Sequence, residues 1–176
     1  MLLHPVEFQV ERTAWGTWRR HLSEEGRYFA EFRSHAELLG WPLLHYTNGI
    51  NPQTGRRMVA KGVIAVGRLA VGGIAFGHAS CGLLAFGQAA LGILFGLGQA
   101  CTGLYALGQL ALGGSFGVGQ LATGETAIGQ LAAGNYVLAQ LGFGQHCWTP
   151  ERSDPEAIAH FTALWRQAQE LAGQRR

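Results

Sequence analysis

Seven histidines and three cysteines are the residues of this chain best suited to chemistry, as metal ligands, proton carriers or a thiolate nucleophile. Their spacing withholds each role. His4, His21, His35, His45, His78, His146 and His160 form no i, i+4 pair, and no Cys-x-x-Cys accompanies them, so neither a metalloprotease helix nor a zinc ribbon can be read. His146 adjoins Cys147, an arrangement that could lower a thiol's pKa, but no matching acid or oxyanion motif goes with it. The glycines form no phosphate loop, because no Gly-Lys-Ser/Thr follows them. The sequence therefore predicts no catalytic residue, no metal ligand and no cofactor, and the chain reads as non-enzymatic.

What must position these residues is a repeat. From Gly62 to Trp148 the chain follows a five-residue unit, Gly-x-x-Ala-(large apolar), with glycines at 62, 67, 72, 77, 82, 87 and 92. The phase shifts by one residue and resumes at 98, 103, 108 and 113, then shifts again and resumes at 119, 124, 129 and 134. No charged residue lies between Arg68 and Glu125. Such a stretch invites a membrane reading, yet a five-residue step turns a helix by about 140° net, so the glycines would wander round it without forming a packing stripe. Gln88, Gln99, Gln109 and Gln120 also break the apolar run. A short fixed period implies a repeat architecture, in which each unit is extended, glycine turns the corners and successive coils pair edge to edge.

The residue after each glycine alternates in character. One set, Arg68, His78, Gln88, Gln99, Gln109, Gln120, Gln130 and Gln140, forms polar ladders; the other includes Val63, Leu83, Ile93 and Leu104, an apolar candidate interface that turns polar at Glu125, Asn135 and Gln145. Either a ten-residue, two-sided coil or a coil of twenty to twenty-one residues with four sides fits this alternation. Two observations favour four sides. Both insertions fall in Phe-Gly-x-Gly segments, Phe95 to Gly98 and Phe116 to Gly119, one twenty-one-residue coil apart. The last position of alternate units reads Cys81, Leu91, Thr102, Leu112, Thr123, Ala133, alternating small and large with a period near that length. On this reading Arg68 and His78 begin separate ladders on opposite sides.

The tract resembles the pentapeptide-repeat family, whose coil is a square of five-residue sides, although that family prefers Ala-Asp/Asn-Leu-x-x where this chain reads closer to Gly-Gln-Leu-Ala-x. The resemblance implies a right-handed β-solenoid. A second resemblance rests on Gly40-Trp41-Pro42-Leu43-Leu44-His45, on Asn51-Pro52-Gln53-Thr54-Gly55 and on Ala60-Lys61-Gly62 leading into the repeat. In that order these segments are similar to a group of bacterial Gly/Ala-rich decapeptide-repeat β-solenoid proteins, over about residues 27 to 145. It implies a bacterial source and the solenoid, with no catalytic residues.

The flanks complete a mainly β chain. Residues 1–61 carry eight Lys/Arg and six Asp/Glu; alternation around Val6, Phe8 and Val10 and around Tyr28, Ala30 and Phe32 predicts a β-rich cap over the first coil. Residues 62–148 form the solenoid. Residues 149–176 predict an amphipathic helix capped by Ser153 or Asp154, with Ile158, Phe161, Leu164, Trp165, Ala168 and Leu171 on one face. No leader is read at Met1–Pro5, and an odd count of cysteines suits a reducing cytoplasm. DNA mimicry needs acidic sides, and Glu125 is the one carboxylate of the solenoid; Arg12, Arg19, Arg20, Arg56, Arg57 and Lys61 are mixed with acids, so nucleic acid is not expected. The expected function is a structural scaffold that self-associates, as a homo-oligomer or filament, or binds a protein partner. The alternative is a membrane-associated or pore-forming protein whose apolar sides meet lipid.

Overall fold

The computed structural model describes residues 6–23 and 26–173; His4 and the Met1–Pro5 segment lie outside them. The chain is mainly β with one C-terminal helix, and it divides into two compact units, Met1–Phe95 and Gly96–Arg176, a boundary that falls inside the repeat.

In the first unit, β1 (Gln9–Arg12), β2 (Gly16–Leu22) and β3 (Tyr28–Ser34) form an antiparallel meander. Phe29 is its buried centre, with Phe8 edge-on at 5.9 Å. Two short hairpins follow the turn residues: β4 (Glu37–Leu38) with β5 (Trp41–Pro42), and β7 (Ile50–Asn51) with β8 (Arg56–Arg57). Gly40 and Gly55 take the left-handed conformation at these turns, with φ of 78° and 64°. Between the hairpins, β6 (Leu44–Asn48) pairs antiparallel with β3 and parallel with β9 (Val59–Val66). β6 thus occupies the edge of β9, and the meander extends the same sheet beyond it.

From β9 the chain continues into β10 (Leu69–Trp148), a single run of extended backbone. Its residues Ala, Leu and Gln favour helix in isolation, and here the pairing of each row with the next overrides that preference. The β9–β10 register is parallel with an offset of ten residues: Leu69 faces Val59, Ala70 faces Ala60 and Phe76 faces Val66. The favoured coil of twenty residues is therefore corrected to a row length of ten. Segment 69–76 lies against segment 59–66, so the row that the sequence placed on an opposite side is here the immediate neighbour.

The glycines explain the same offset. A Cβ on Gly72, Gly77, Gly82 or Gly87 would strike the carbonyl oxygen of Gly62, Gly67, Gly72 or Gly77, respectively. In the second unit the same holds for Gly129 against Gly119, Gly134 against Gly124 and Gly144 against Gly134, each ten residues back. Of the tract's glycines only Gly124 has a positive φ. Glycine is therefore required by close backbone approach, and the expectation that it supplies corner angles is corrected.

One residue in five is buried. In the first unit these are Ala60, Ala65, Ala70, Ala75, Ser80, Ala85 and Ala90; in the second they include Cys101, Ala106, Ala111, Ala122, Ala127, Ala132, Val137 and Cys147. The interior admits little more than a methyl group per position. The larger Val137 is accommodated because the next such position is Gly142, whose Cβ would lie 2.8 Å from Val137 Cγ1.

After Trp148 a tight turn brings Ser153 back beside Trp148, and α1 (Pro155–Gly173) follows. Asp154 precedes Pro155 and accepts the Ile158 N–H through its carbonyl, while its carboxylate takes the Cys147 N–H at 2.7 Å. That bond holds the Asp154 pKa below the ordinary carboxylate range. The expected side-chain cap is thus used to tie the helix start to the last strand. Of the predicted stripe Phe161 is buried and Leu164 half-buried, while Ile158, Trp165 and Leu171 are exposed; Ala157, outside the stripe, is the other buried residue of α1. Among the described residues no helix is long and apolar enough to cross a membrane.

Candidate interaction surfaces

The position after each glycine faces outward where it carries the polar set. Arg68, His78 and Gln88 are exposed in the first unit, and Gln99, Gln109, Gln120, Gln130 and Gln140 in the second. With rows of ten, Arg68, His78 and Gln88 stand in consecutive rows of one column and line a single cleft, as Gln120, Gln130 and Gln140 do in the second unit. The expectation of ladders on opposite sides, one starting at Arg68 and one at His78, is corrected accordingly.

The apolar set divides. Val63 is half-buried and lies beside Gly73, whereas Leu83 and Ile93 are 48% and 64% exposed. Leu91 and Leu94, at 56% and 45%, are further exposed leucines beside Ile93 in the chain. In the second unit Leu104 is 44% exposed and packs beside Gly114; the column then passes through Glu125, Asn135 and Gln145, which line a shallow polar depression.

Two polar clusters arise that the sequence reading missed. In the first unit Glu31 and His45 are both buried. The Lys61 N–H donates to His45 Nδ1 at 2.8 Å, which leaves the ring proton on Nε2, 3.2 Å from Glu31 Oε1. Arg19 Nε lies 3.1 Å from Glu31 Oε2, out of line for a hydrogen bond but close enough to act as a charge. The His45 hydrogen bond, and then the Arg19 charge, outweigh burial and hold the Glu31 carboxyl below its ordinary range. Two residues of the quoted Gly-x-Pro-Leu-x-His segment meet the first repeat glycine: a Cβ on Gly62 would lie 2.8 Å from the Pro42 carbonyl oxygen and 3.3 Å from His45 Cβ. The segment is thus a fastening between cap and repeat. With one ring nitrogen on the backbone and the other on a carboxylate, His45 has none left for a substrate.

In the second unit Thr126, Tyr136 and His146 are ten residues apart, and α1 docks against them. Tyr136 is sandwiched between the His146 and His160 rings, at centroid distances of 5.1 and 4.1 Å. His160 Nε2 is 2.9 Å from Thr126 Oγ1, and His146 Nδ1 is 2.8 Å from Glu156. The ten-residue period was the signal that could have grouped these side chains. Cys147 points the other way and is 1% exposed, so the adjacency of His146 and Cys147 brings no thiol to the imidazole. Of the other cysteines, Cys101 is buried in the interior and Cys81 is exposed. Further along α1, Phe161, Leu164, Trp165 and Ala168 face Phe116, Ile128, Leu138 and Trp148 across an apolar groove of about 530 Å³.

No group of three or more metal-ligating side chains is assembled among the described residues. Comparison with family models, with curated proteins and with solved structures gives no match.

Proposed function

We propose that residues 62–148 form a right-handed β-solenoid with ten-residue coils, and that the protein is a non-catalytic scaffold which associates with copies of itself through an uncharged solenoid face. The parallel ten-residue register and the glycine–carbonyl approaches at the same spacing support the coil; right-handed crossover is the general rule for parallel connections. The observation that carries the functional reading is the exposure of Leu83, Leu91, Ile93 and Leu94, each at least 45%, within a stretch holding no charged residue from 69 to 124. Charged side chains are the usual device against lateral association of β surfaces, and this face lacks them.

Sedimentation velocity tests the reading. The protein should sediment as an oligomer, and Leu83→Lys with Ile93→Lys should shift it to the monomer without lowering its melting temperature. A wild-type monomer at high micromolar concentration overturns self-association. Flotation of the protein with neutral phosphatidylcholine vesicles also overturns it, in favour of lipid as the covering phase.

A further inference from the structure

The cleft containing Arg68 departs from the repeat in a directed way. The outward polar column is glutamine at 88 in the first unit and at every corresponding position of the second, but arginine and histidine in its first two rows, 68 and 78. Those rows adjoin β6 of the cap. Because Tyr46 faces Val66 and Val66 faces Phe76, register places three columns side by side. The first, Tyr46, Val66 and Phe76, is an apolar wall, continued by Phe86 stacked on Phe76 at 4.8 Å and 15°. The middle column is Gly67, Gly77 and Gly87, bare backbone that forms a floor. The third is Asn48, Arg68, His78 and Gln88, all donors or potential donors. Together they line a cleft of about 540 Å³, within the range of about 300–1,000 Å³ typical of small-molecule sites.

Arg68 has no ion-pair partner among the described residues, and no other charged side chain lines the cleft. A guanidinium held beside an imidazole one row away, about 4.8 Å along the sheet, suits the spread oxygens of a carboxylate or phosphate. The flat Phe76–Phe86 wall suits an apolar ring. We propose that this cleft binds a small organic oxyanion: its carboxylate or phosphate sits on Arg68 and His78, and its planar apolar body lies along the aromatic wall. The site is independent of the face assigned to self-association and stands or falls separately.

Glutamine is the residue the column carries elsewhere, so Arg68→Gln and His78→Gln keep the rows intact. Isothermal titration of the full chain with naphthyl phosphate, naphthoate and neutral naphthol tests the site. At least one anionic probe should bind with one-to-one stoichiometry and far more tightly than naphthol. Arg68→Gln should weaken that binding about tenfold or more, the loss expected for a charge-assisted hydrogen bond. Which anion binds more tightly identifies the oxyanion class. Equal binding of naphthol, undiminished binding by an Arg68→Gln variant of unchanged melting temperature, or no saturable binding of either anion overturns the proposal.

Discussion

The most direct test of the thin interior is a double-mutant cycle at Val137 and Gly142. Val137 is fully buried, and its two methyl groups occupy space left by two glycines: a Cβ on Gly142 would lie 2.8 Å from Cγ1, and one on Gly144 would lie 2.9 Å from Cγ2. Val137→Ala removes two methyl groups, worth about 1.6 kcal/mol in transfer alone, and the remaining void raises the cost to about 2–3 kcal/mol. Gly142→Ala forces a carbon contact nearly an ångström inside the optimum of about 3.5–4.0 Å, and a second at 3.0 Å from Thr149 Cγ2. Overpacking of this kind costs about 1–3 kcal/mol. In the double variant the new methyl group enters the void left by Cγ1, recreating the Ala–Ala pairing of the rows at Ala127 and Ala132. The two losses should therefore not add, and the double variant should be more stable than their sum by at least about 1 kcal/mol. Urea denaturation of the four proteins supplies the cycle. Additivity within about 0.5 kcal/mol would refute the claim that Val137 and Gly142 share one space.

Three further outcomes follow from named contacts. Gly129→Ala should lower stability by about 1–3 kcal/mol because its Cβ meets the Gly119 carbonyl, whereas Gly114→Ala, whose nearest neighbour would be Leu104 Cδ2 at 3.4 Å, should be neutral or stabilising; thermal melts compare them directly. Ser80 occupies an alanine position with its buried hydroxyl unpartnered among the described residues, so Ser80→Ala should raise stability by about 1 kcal/mol in the same assay. Glu31 has its folded-state pKa lowered from 4.5, so it contributes stability above that value that is lost as pH falls through the lower folded-state value; urea midpoints between pH 7 and pH 3 should show that loss, and Glu31→Gln should flatten it.

Much of the architecture was legible because it depends on spacing alone. The five-residue period argued against a packed helix and singled out the position immediately after each glycine as outward; that the alanine three residues after each glycine is the buried one came from the structure. Coil size was less accessible, since alternation at Arg68, Val63 and their successors repeats every ten residues and fits either pairing. Only the register of Ala70 on Ala60 decides it. The matched spacing of the two Phe-Gly-x-Gly insertions pointed the other way, yet a one-residue shift is absorbed in any row length. The glycine role was misread because a Cβ-free residue satisfies both a turn and a close approach, and sequence does not distinguish them. At α1 the apolar stripe from Phe161 to Ala168 does line a groove, but the seating of the helix start on Tyr136, whose ring receives His160, is polar and left no mark in the apolar pattern. The Arg68–His78 cleft was half visible: both residues stood out from the glutamines, but their adjacency required the row length.

The ten-residue register also makes length a discrete quantity for this chain. Removing or duplicating ten residues within one unit's regular rows returns every side chain to a neighbour of the kind it had before: glutamine beside glutamine, alanine beneath alanine, glycine against a carbonyl. A change of five keeps the glycines and buried alanines in place but exchanges the two outward columns, setting glutamine rows against leucine rows. Growth by whole rows is therefore close to silent for the interior while it adds outward surface in fixed increments. A chain built this way can tune how much face it presents without redesigning how it folds.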